Sequence, residues 1–306
     1  MNGQKSIAVS TAWNARRHTS GKAMVQELLN LGFDNLELNV HVTEEMIEEI
    51  AGMVEQGQVK IYSLHNYCPL PRGVDRSSAT ANVLLSSPNA TERKASIEQT
   101  KRTIDWAARL GASTVVMHLG TVPLDVRQKE ALKLFEAGEI IQAKTIIMED
   151  LVHRGSIRKP YLDSVMASLK ILIEYAQSAG VRLGLETRYY YSEIPTLDEF
   201  QMIFKNVPSP ALGYWHDTGH AHTMEVLGIA CQEDYLKKYS SKLIGIHMHD
   251  AIGASDHQAL GCGEIEFSRL RPFIKPDTKV VIEVHDQASA DELVGSRDKV
   301  VQCLAE

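Results

Sequence analysis

The chain repeats one unit along most of its length: a short apolar, β-rich run, usually followed by a stretch with helical periodicity. Eight such runs occur, at residues 6–13, 35–40, 60–66, 113–120, 181–187, 211–217, 242–250 and 279–286. Because parallel strands with right-handed helical crossovers close most simply into a barrel, the alternation predicts an α/β fold with one (β/α)8 TIM barrel. An open doubly wound sheet is the alternative, but no GxGxxG motif follows the first run.

Helical periodicity is clearest in five stretches between the predicted strands, at residues 22–31, 44–55, 96–110, 162–179 and 291–304. Three of them are followed at once by a glycine, at Gly32, Gly111 and Gly180. Glycine is favoured just past a helix end because it adopts a positive φ at little cost. We therefore expect these helices to end at these glycines.

Two segments exceed what a barrel of this kind needs. One runs from Tyr67 to about Pro88, and the other is a helical, amphipathic insertion at about 121–160, after the fourth strand. Both follow the carboxyl ends of strands, the face where barrels place active sites. They are interpreted as a lid, a pocket wall or an oligomer contact, and the second could equally be an insertion without a role. One domain is predicted over residues 1–306.

Composition limits the class of protein. Hydrophobic residues make up 44% and charged residues 23% of the chain, which is typical of a soluble globular protein. A net charge of −7 argues against DNA as the main partner, because phosphate binding needs a basic surface. No run is long enough to span a membrane, and the N-terminus lacks a signal-peptide core, so a cytoplasmic location is expected. The four cysteines are scattered, so structural disulfides are not expected.

Potential metal ligands stand near the ends of six of the eight runs. They are His65, His118, Glu186, the group His216, Asp217 and His220, the group His247, His249 and Asp250, and the pair Glu283 and His285. The carboxyl ends of barrel strands meet at one mouth, so these side chains should be neighbours. Carboxylates and imidazoles suit Mn²⁺, Mg²⁺, Co²⁺ or Zn²⁺. An unpaired carboxylate in the apolar runs that carry Glu186 and Glu283 would be costly, and a cation or Arg188 would remove that cost.

Each of these residues also has an ordinary structural interpretation. A single histidine at a strand end is more often a hydrogen-bonded core or rim residue than a ligand, and a single glutamate can belong to a salt bridge. In the segment GYWHDTGHAH, Asp217 or Thr218 could simply cap the following helix. His216, His222 and His285 are assigned to packing or to the surface. The joint pattern over several strands favours a metal site.

Six motifs in order carry a family resemblance: RKASIEQTKRTIDWAARLGASTVVMHLG, LGLET, HDTGH, HMHD, DHQALGCGEIEF and VIEVH. Together they resemble the xylose isomerase-like TIM-barrel superfamily of sugar phosphate isomerases and epimerases and family 2-like AP endonucleases. It includes sugar isomerases, ketose epimerases, inosose dehydratases and tri-zinc endonucleases. The resemblance covers nearly the whole chain and is specific to the superfamily but not to one reaction.

The isomerase and epimerase members hold one catalytic metal through residues from four successive strands. Carried over, the ligands are Glu186, Asp217, a histidine of HMHD and Glu283. An HLKD-like pattern indicates His247, whereas the HxH spacing of some epimerases indicates His249, and the sequence does not choose between them.

The resemblance implies a divalent-metal-dependent isomerase or epimerase that acts on a sugar or polyol-like carbonyl compound through an enediolate. Glu186 and Glu283 would be base and acid as well as ligands. His220 would contact the substrate. Arg188 and Trp13 are further candidates for substrate binding, although a rim salt bridge and a core position suit them equally well.

The endonuclease branch uses more ligands, and this chain has counterparts for most of them. His65 and His118 would serve one zinc, and His220 and His257 another, while Asp256 could contact a metal or the substrate. The branch separates the aspartate from this histidine by one residue, whereas here Asp256 and His257 are adjacent, and Cys262 replaces a glutamate. A DNA repair role is therefore less expected. A tri-zinc phosphodiester hydrolase, an inosose-type dehydratase and a non-catalytic sugar-binding barrel remain alternatives. A homo-oligomer is a further expectation, because related barrels often form one.

Overall fold

The computed structural model describes residues 6–76 and 83–305. Its strands are β1 (Ile7–Ser10), β2 (Asn35–Leu38), β3 (Lys60–His65), β4 (Thr114–Met117), β5 (Arg182–Glu186), β6 (Leu212–Asp217), β7 (Leu243–Met248), β8 (Asp250–Ile252), β9 (Ser255–Gln258) and β10 (Lys279–Ile282). Strands β1 to β7 and β10 form a closed barrel in which β10 pairs in parallel with both β7 and β1. The predicted (β/α)8 barrel is confirmed.

The helices lie between the barrel strands and after the last one. They are α1 (Gly21–Asn30), α2 (Glu44–Glu55), α3 (Ala90–Arg109), α4 (Gln128–Glu136), α5 (Ile140–Ile157), α6 (Lys159–Ser178), α7 (Leu197–Asn206), α8 (Thr218–Val226), α9 (Gln232–Tyr239) and α10 (Ala290–Ala305). Helix α2 has the predicted bounds. Helix α3 begins six residues earlier than predicted, because Asn89 accepts the free N–H groups of its first turn. The three predicted glycine stops all have positive φ.

The barrel interior is apolar near its centre and polar at the carboxyl ends of the strands. A small inner cluster contains Ala8, Val116, Trp215, Ile244 and Val281. The larger core lies between the strands and the surrounding helices. This division leaves the upper ends of the strands free for polar side chains.

The helical insertion after β4 is confirmed as α4 and α5. Its inner face packs on the loop after β5 and on α8, in a cluster that contains Ala131, Ile147, Tyr191, Met224 and Leu227. Gln128 of α4 binds the loop after β5, because its amide N–H donates to the carbonyl of Tyr189 and its amide oxygen accepts from the N–H of Tyr191. The insertion therefore fixes the loop after β5, which forms one wall of the barrel mouth.

The regular alternation of strand and helix does not extend to the segment between β7 and β10. The described residues there form the antiparallel β8–β9 hairpin and two short 3-10 turns, at Phe267–Arg269 and Arg271–Phe273. The buried carboxylate of Asp250 accepts the N–H groups of Ala251, Gly261 and Ile265, which holds this loop in place. Across the described ranges, no helix is both long and apolar enough to cross a bilayer.

Candidate metal centre

Four side chains from neighbouring strands meet at the mouth of the barrel. Glu186 ends β5, Asp217 ends β6, His247 lies near the end of β7, and Glu283 directly follows β10. Each offers a ligand atom, and these atoms all lie within 4.8 Å of one another. The convergence expected from the strand ends is thus present for one residue from each of four adjacent strands.

His247 stands at the centre of this group. Its Nδ1 lies 2.8 Å from Glu186 Oε1, 2.8 Å from Glu283 Oε2 and 3.5 Å from Asp217 Oδ2. Asp217 Oδ2 is buried and has no hydrogen-bond partner among the residues that the structure describes. A carboxylate oxygen left unpaired in the interior is costly, and a cation is the group that would satisfy it. The donor set of three carboxylates and one imidazole fits a divalent ion.

The three carboxylates of the central group have lowered pKa values despite their burial. Burial by itself would raise the pKa of Glu186, but the Arg188 guanidinium and hydrogen bonds from His118 and His247 hold it well below its usual value. Burial would likewise raise the pKa of Asp217, and the neighbouring His220 and His249 hold it well below the usual range. The centre is therefore strongly anionic apart from its histidines.

The opposite shift applies to His247. Burial would lower its pKa, but Glu283, Glu37 and the other carboxylates around it hold it well above the usual value. This raised pKa favours the imidazolium form, which has a proton on Nδ1 as well as on Nε2. An ion that binds there must displace the proton on Nδ1.

Glu37, which the sequence did not single out, contacts the central group through His247. It lies fully buried on β2, and its Oε1 is 3.0 Å from His247 Nε2, while Oε2 accepts a 2.7 Å hydrogen bond from Ser63 Oγ. Because His247 Nε2–H donates to Glu37, Nδ1 is the nitrogen that faces the other carboxylates. The signal was available, since Glu37 is an acidic residue inside the apolar run NLELNV, as Glu186 and Glu283 are in theirs.

His249 uses both of its nitrogens in contacts with the protein. Its Nδ1 accepts the backbone N–H of His257 at 2.8 Å, so Nε2 carries the proton and donates to Asp217 Oδ1 at 2.9 Å. The same oxygen accepts the backbone N–H of His220, the capping interaction that starts α8. Asp217 therefore both caps the helix and belongs to the central group, and each role uses a different oxygen.

A second group of ligand type surrounds the other oxygen of Glu186. Glu186 Oε2 lies 2.8 Å from His118 Nε2 and 3.7 Å from His65 Nε2. Arg188 also contacts this oxygen, and its other terminal nitrogen lies 2.8 Å from Glu193 Oε1. Burial, Arg188 and His65 together lower the pKa of His118 to about 3, so its imidazole is neutral.

A third group consists of Asp217, His220 and His257. His220 Nδ1 donates to the carbonyl of Thr187 at 2.9 Å, and Nε2 lies 3.5 Å from Asp256 Oδ2. The same Asp256 oxygen is 3.1 Å from His257 Nδ1. Asp256 therefore still reaches both histidines although the two residues are adjacent in sequence.

A cavity of about 630 Å³ opens above these groups, and the buried side chains of Glu186 and Glu283 line its base. The other predicted site residues that line it are His65, His118, Arg188, His220, Asp256 and His257. Tyr189 and Tyr190 form part of its wall, and Asp217, His247 and His249 lie beneath it, fully buried. Trp13 does not reach the cavity, because its indole N–H donates to the carbonyl of Ala288 and its ring packs in the main core.

The chain is similar to one known protein family and to curated relatives. A family model described as "Xylose isomerase-like TIM barrel" matches residues 25–296. A curated relative, the uncharacterized protein MJ1311 of Methanocaldococcus jannaschii, is 27% identical over 196 residues, which are 62% of this chain and 56% of that protein. The chain spans about half the length of the curated relatives that it matches.

Two solved structures show the same fold. A D-tagatose 3-epimerase-like protein is 19% identical, with a TM-score of 0.70 and coverage of 98% of this chain and 97% of that one. The IolI protein, solved with a bound zinc atom, is 14% identical, with a TM-score of 0.67 and coverage of 98% of both chains.

Proposed function

The chain belongs to the xylose isomerase-like TIM-barrel family, and from this premise we propose that it is a divalent-metal-dependent isomerase or epimerase. Its substrate would be a sugar or a polyol-like carbonyl compound. The observation that carries the proposal is the group of Glu186, Asp217, His247 and Glu283, two of which stand at the base of an open cavity. The epimerase-like and zinc-bound structural neighbours support the same class.

These four residues would hold the ion, which we take to be Mn²⁺, Mg²⁺, Co²⁺ or Zn²⁺. The imidazole ligand would be His247, because its Nδ1 faces the carboxylates of the central group. In His249, Nδ1 instead accepts the backbone N–H of His257, and Nε2 donates to the oxygen of Asp217 that caps α8. When bound, the ion would supply a Lewis acid for a substrate carbonyl and its neighbouring hydroxyl.

The chain's own proton-transfer groups are Glu186 and Glu283, the two glutamates that line the cavity. Glu283 Oε1 has one described hydrogen-bond contact, the hydroxyl of Ser10 at 3.4 Å, so this oxygen can accept a proton from the substrate. Glu186 is more firmly held, by His118 and Arg188. In an epimerase, one glutamate would remove a proton from one face of the substrate carbon and the other would return a proton to the opposite face. In an isomerase, a single glutamate would transfer the proton between neighbouring carbons.

His220 would orient a substrate hydroxyl. Its Nδ1–H is fixed on the carbonyl of Thr187, which turns Nε2 toward the cavity, where it lies 3.5 Å from Asp256 Oδ2. Arg188 lines the same cavity but is occupied by Glu186 and Glu193, so its contribution would be to shape the site around the substrate.

The test is the variant Glu186→Gln. The assay measures how much solvent deuterium a ketohexose such as D-tagatose takes up at the carbon next to its carbonyl. We expect loss of exchange and weaker Mn²⁺ binding with an unchanged circular dichroism spectrum, because the amide supplies neither charge nor base. The matched control is Glu27→Gln, which removes a half-exposed carboxylate paired with Arg17 and His18. It should retain both deuterium exchange and Mn²⁺ binding. Full exchange by Glu186→Gln would refute the proposal.

A tri-zinc phosphodiester hydrolase is a second candidate, and one observation favours it. The groups formed by His65 and His118 and by His220 and His257 share Glu186 and Asp217 with the central group, as a multinuclear centre requires. About three zinc ions per chain would support this candidate, and one exchangeable ion would support the isomerase. An inosose-type dehydratase would release water from its substrate, and a non-catalytic barrel would bind a sugar without proton exchange.

Self-association is also part of the proposal. Helix α5 carries an apolar stripe away from the barrel, with Ile141, Met148 and Val152 being 81%, 63% and 67% exposed. Exposed apolar surface of this kind is typical of an interface between chains. Light scattering on Met148→Glu should then give a smaller mass than on the wild-type chain.

A further inference from the structure

We propose that the centre holds a single divalent ion per chain, and that the Arg188 guanidinium stands where a second ion would otherwise bind. The inference rests on the proposed function only in that an ion binds between Glu186, Asp217, His247 and Glu283. It concerns the neighbouring group of His65, His118 and Glu186, whose ligand atoms also lie close enough together to hold a metal.

Arg188 contacts Glu186 Oε2, the carboxylate oxygen that an ion in this second site would need. Glu186 Oε2 is the carboxylate oxygen nearest to both His118 Nε2 and His65 Nε2, and it is also the oxygen that Arg188 contacts. The guanidinium is buried, with 7% of the residue exposed. An arginine cannot release its charge by losing a proton, so a metal at the same oxygen would face a permanent like charge in a poorly solvated place.

The guanidinium is held at both ends and is therefore a fixed part of the site. One nitrogen contacts Glu186, and the other lies 2.8 Å from Glu193 Oε1. Glu193 is itself anchored, because Oε2 accepts the N–H of Tyr190 and its carbonyl accepts from Arg154 of the insertion. Moving Arg188 aside for an ion would leave the partly buried carboxylate of Glu193 without its cation, which is costly.

The third group is closed to an ion for a different reason. Asp217 Oδ1 already accepts from His249 Nε2 and from the backbone N–H of His220, and Oδ2 faces the central group. His220 Nδ1 is committed to the carbonyl of Thr187. Because Asp217 has no free oxygen to offer, the remaining ligand atoms of this group are ring nitrogens of His220 and His257 and the carboxylate of Asp256. That carboxylate already pairs with both histidines.

The test is the number of ions bound, measured without substrate. The wild-type chain is dialysed against Zn²⁺ and, separately, Mn²⁺, then analysed by elemental mass spectrometry and by anomalous scattering from crystals. We expect one ion per chain, between the four central residues. Arg188→Ala should bind a second ion, and Arg188→Ala/His118→Ala should return to one. Arg158→Ala, which removes a half-exposed arginine paired with Glu199, is the matched control and should remain at one.

Two results would overturn the inference: two or three ions in the wild-type chain, or a folded Arg188→Ala that still binds one. Two or three ions in the wild-type chain would overturn the inference even if Arg188→Ala does not fold. The outcome is separable from that of the proposed function. A chain that binds one ion but exchanges no protons in carbonyl compounds would refute the proposed function alone, whereas an active isomerase with three ions would refute this inference alone.

Discussion

Removal of the carboxylate charge of Glu37 should weaken metal binding although Glu37 is not itself a ligand. The carboxylate accepts the Nε2–H of His247 at 3.0 Å in a fully buried position. In Glu37→Gln the amide oxygen can still accept this proton, but a charge-assisted hydrogen bond, worth about 1.5–3 kcal/mol, becomes a neutral one worth about 0.5–1.5 kcal/mol. The loss of about 1 kcal/mol corresponds to a roughly fivefold to tenfold weaker affinity.

Glu37→Ala should have the larger effect. It leaves the Nε2–H of His247 and the hydroxyl of Ser63 without their buried partner, and the imidazole loses what orients Nδ1 toward the ion. Removal of such an outer partner typically lowers metal affinity by about 10-fold to 100-fold. The expected order of affinity is therefore wild type, then Glu37→Gln, then Glu37→Ala.

The pH dependence separates this positioning role from a purely structural one. Burial lowers the pKa of His247, but Glu283 and Glu37 raise it, with a net increase. Without the charge of Glu37 that pKa falls, so protons compete with the ion only at lower pH. The pH at which affinity levels off should therefore shift down in Glu37→Gln.

Isothermal titration with Mn²⁺ over a range of pH measures both quantities. Glu199→Gln is the matched control, since Glu199 is also a fully buried carboxylate but lies on α7 and pairs with Arg154 of α5. It should lower the melting temperature and leave Mn²⁺ affinity unchanged. Wild-type affinity together with a wild-type pH profile in Glu37→Gln would refute the reasoning.

Two further predictions concern pH and packing. Below the raised pKa of His247, wild-type Mn²⁺ affinity should increase by up to about tenfold per pH unit, because one proton leaves Nδ1 when the ion binds; titration calorimetry would contradict this with a flat profile. Gly219→Ala would place Cβ 2.2 Å from His249 Cε1 and should cost about 1–3 kcal/mol of stability. Gly295→Ala, with open space around Cβ, should not destabilise in the same calorimetric scan.

The barrel and most of its helices could be predicted because their signals are local. The apolar period of α2 and the glycines after α1, α3 and α6 depend on neighbouring residues of the chain. The segment after β7 could not be predicted in this way. Its course is set by backbone N–H groups that donate to the carboxylate of Asp250 from as far along the chain as Ile265, and such contacts leave no periodic pattern.

The candidate site was predictable as a set of residues but not as a set of contacts. Strand ends rich in histidine and carboxylate indicated where the ligands would meet, and Glu186, Asp217, His247 and Glu283 do meet there. Glu37 was not predicted, although it lies one residue before the end of β2, as the predicted ligand His247 does in β7. Trp13, for which the sequence left substrate binding and a core position open, lies in the core, where the carbonyl of Ala288 accepts from its indole N–H.

The sequence by itself determined the barrel, the order of its strands and which residues stand at the mouth, because periodicity and spacing act along the chain. The tertiary structure alone decided which atom of each residue faces the centre. The proton of His249 is placed by the N–H of His257, that of His247 by Glu37, and one oxygen of Glu186 is taken by Arg188. Tautomer and ligand choice depend on neighbours from other strands, and only closure of the barrel brings those neighbours together.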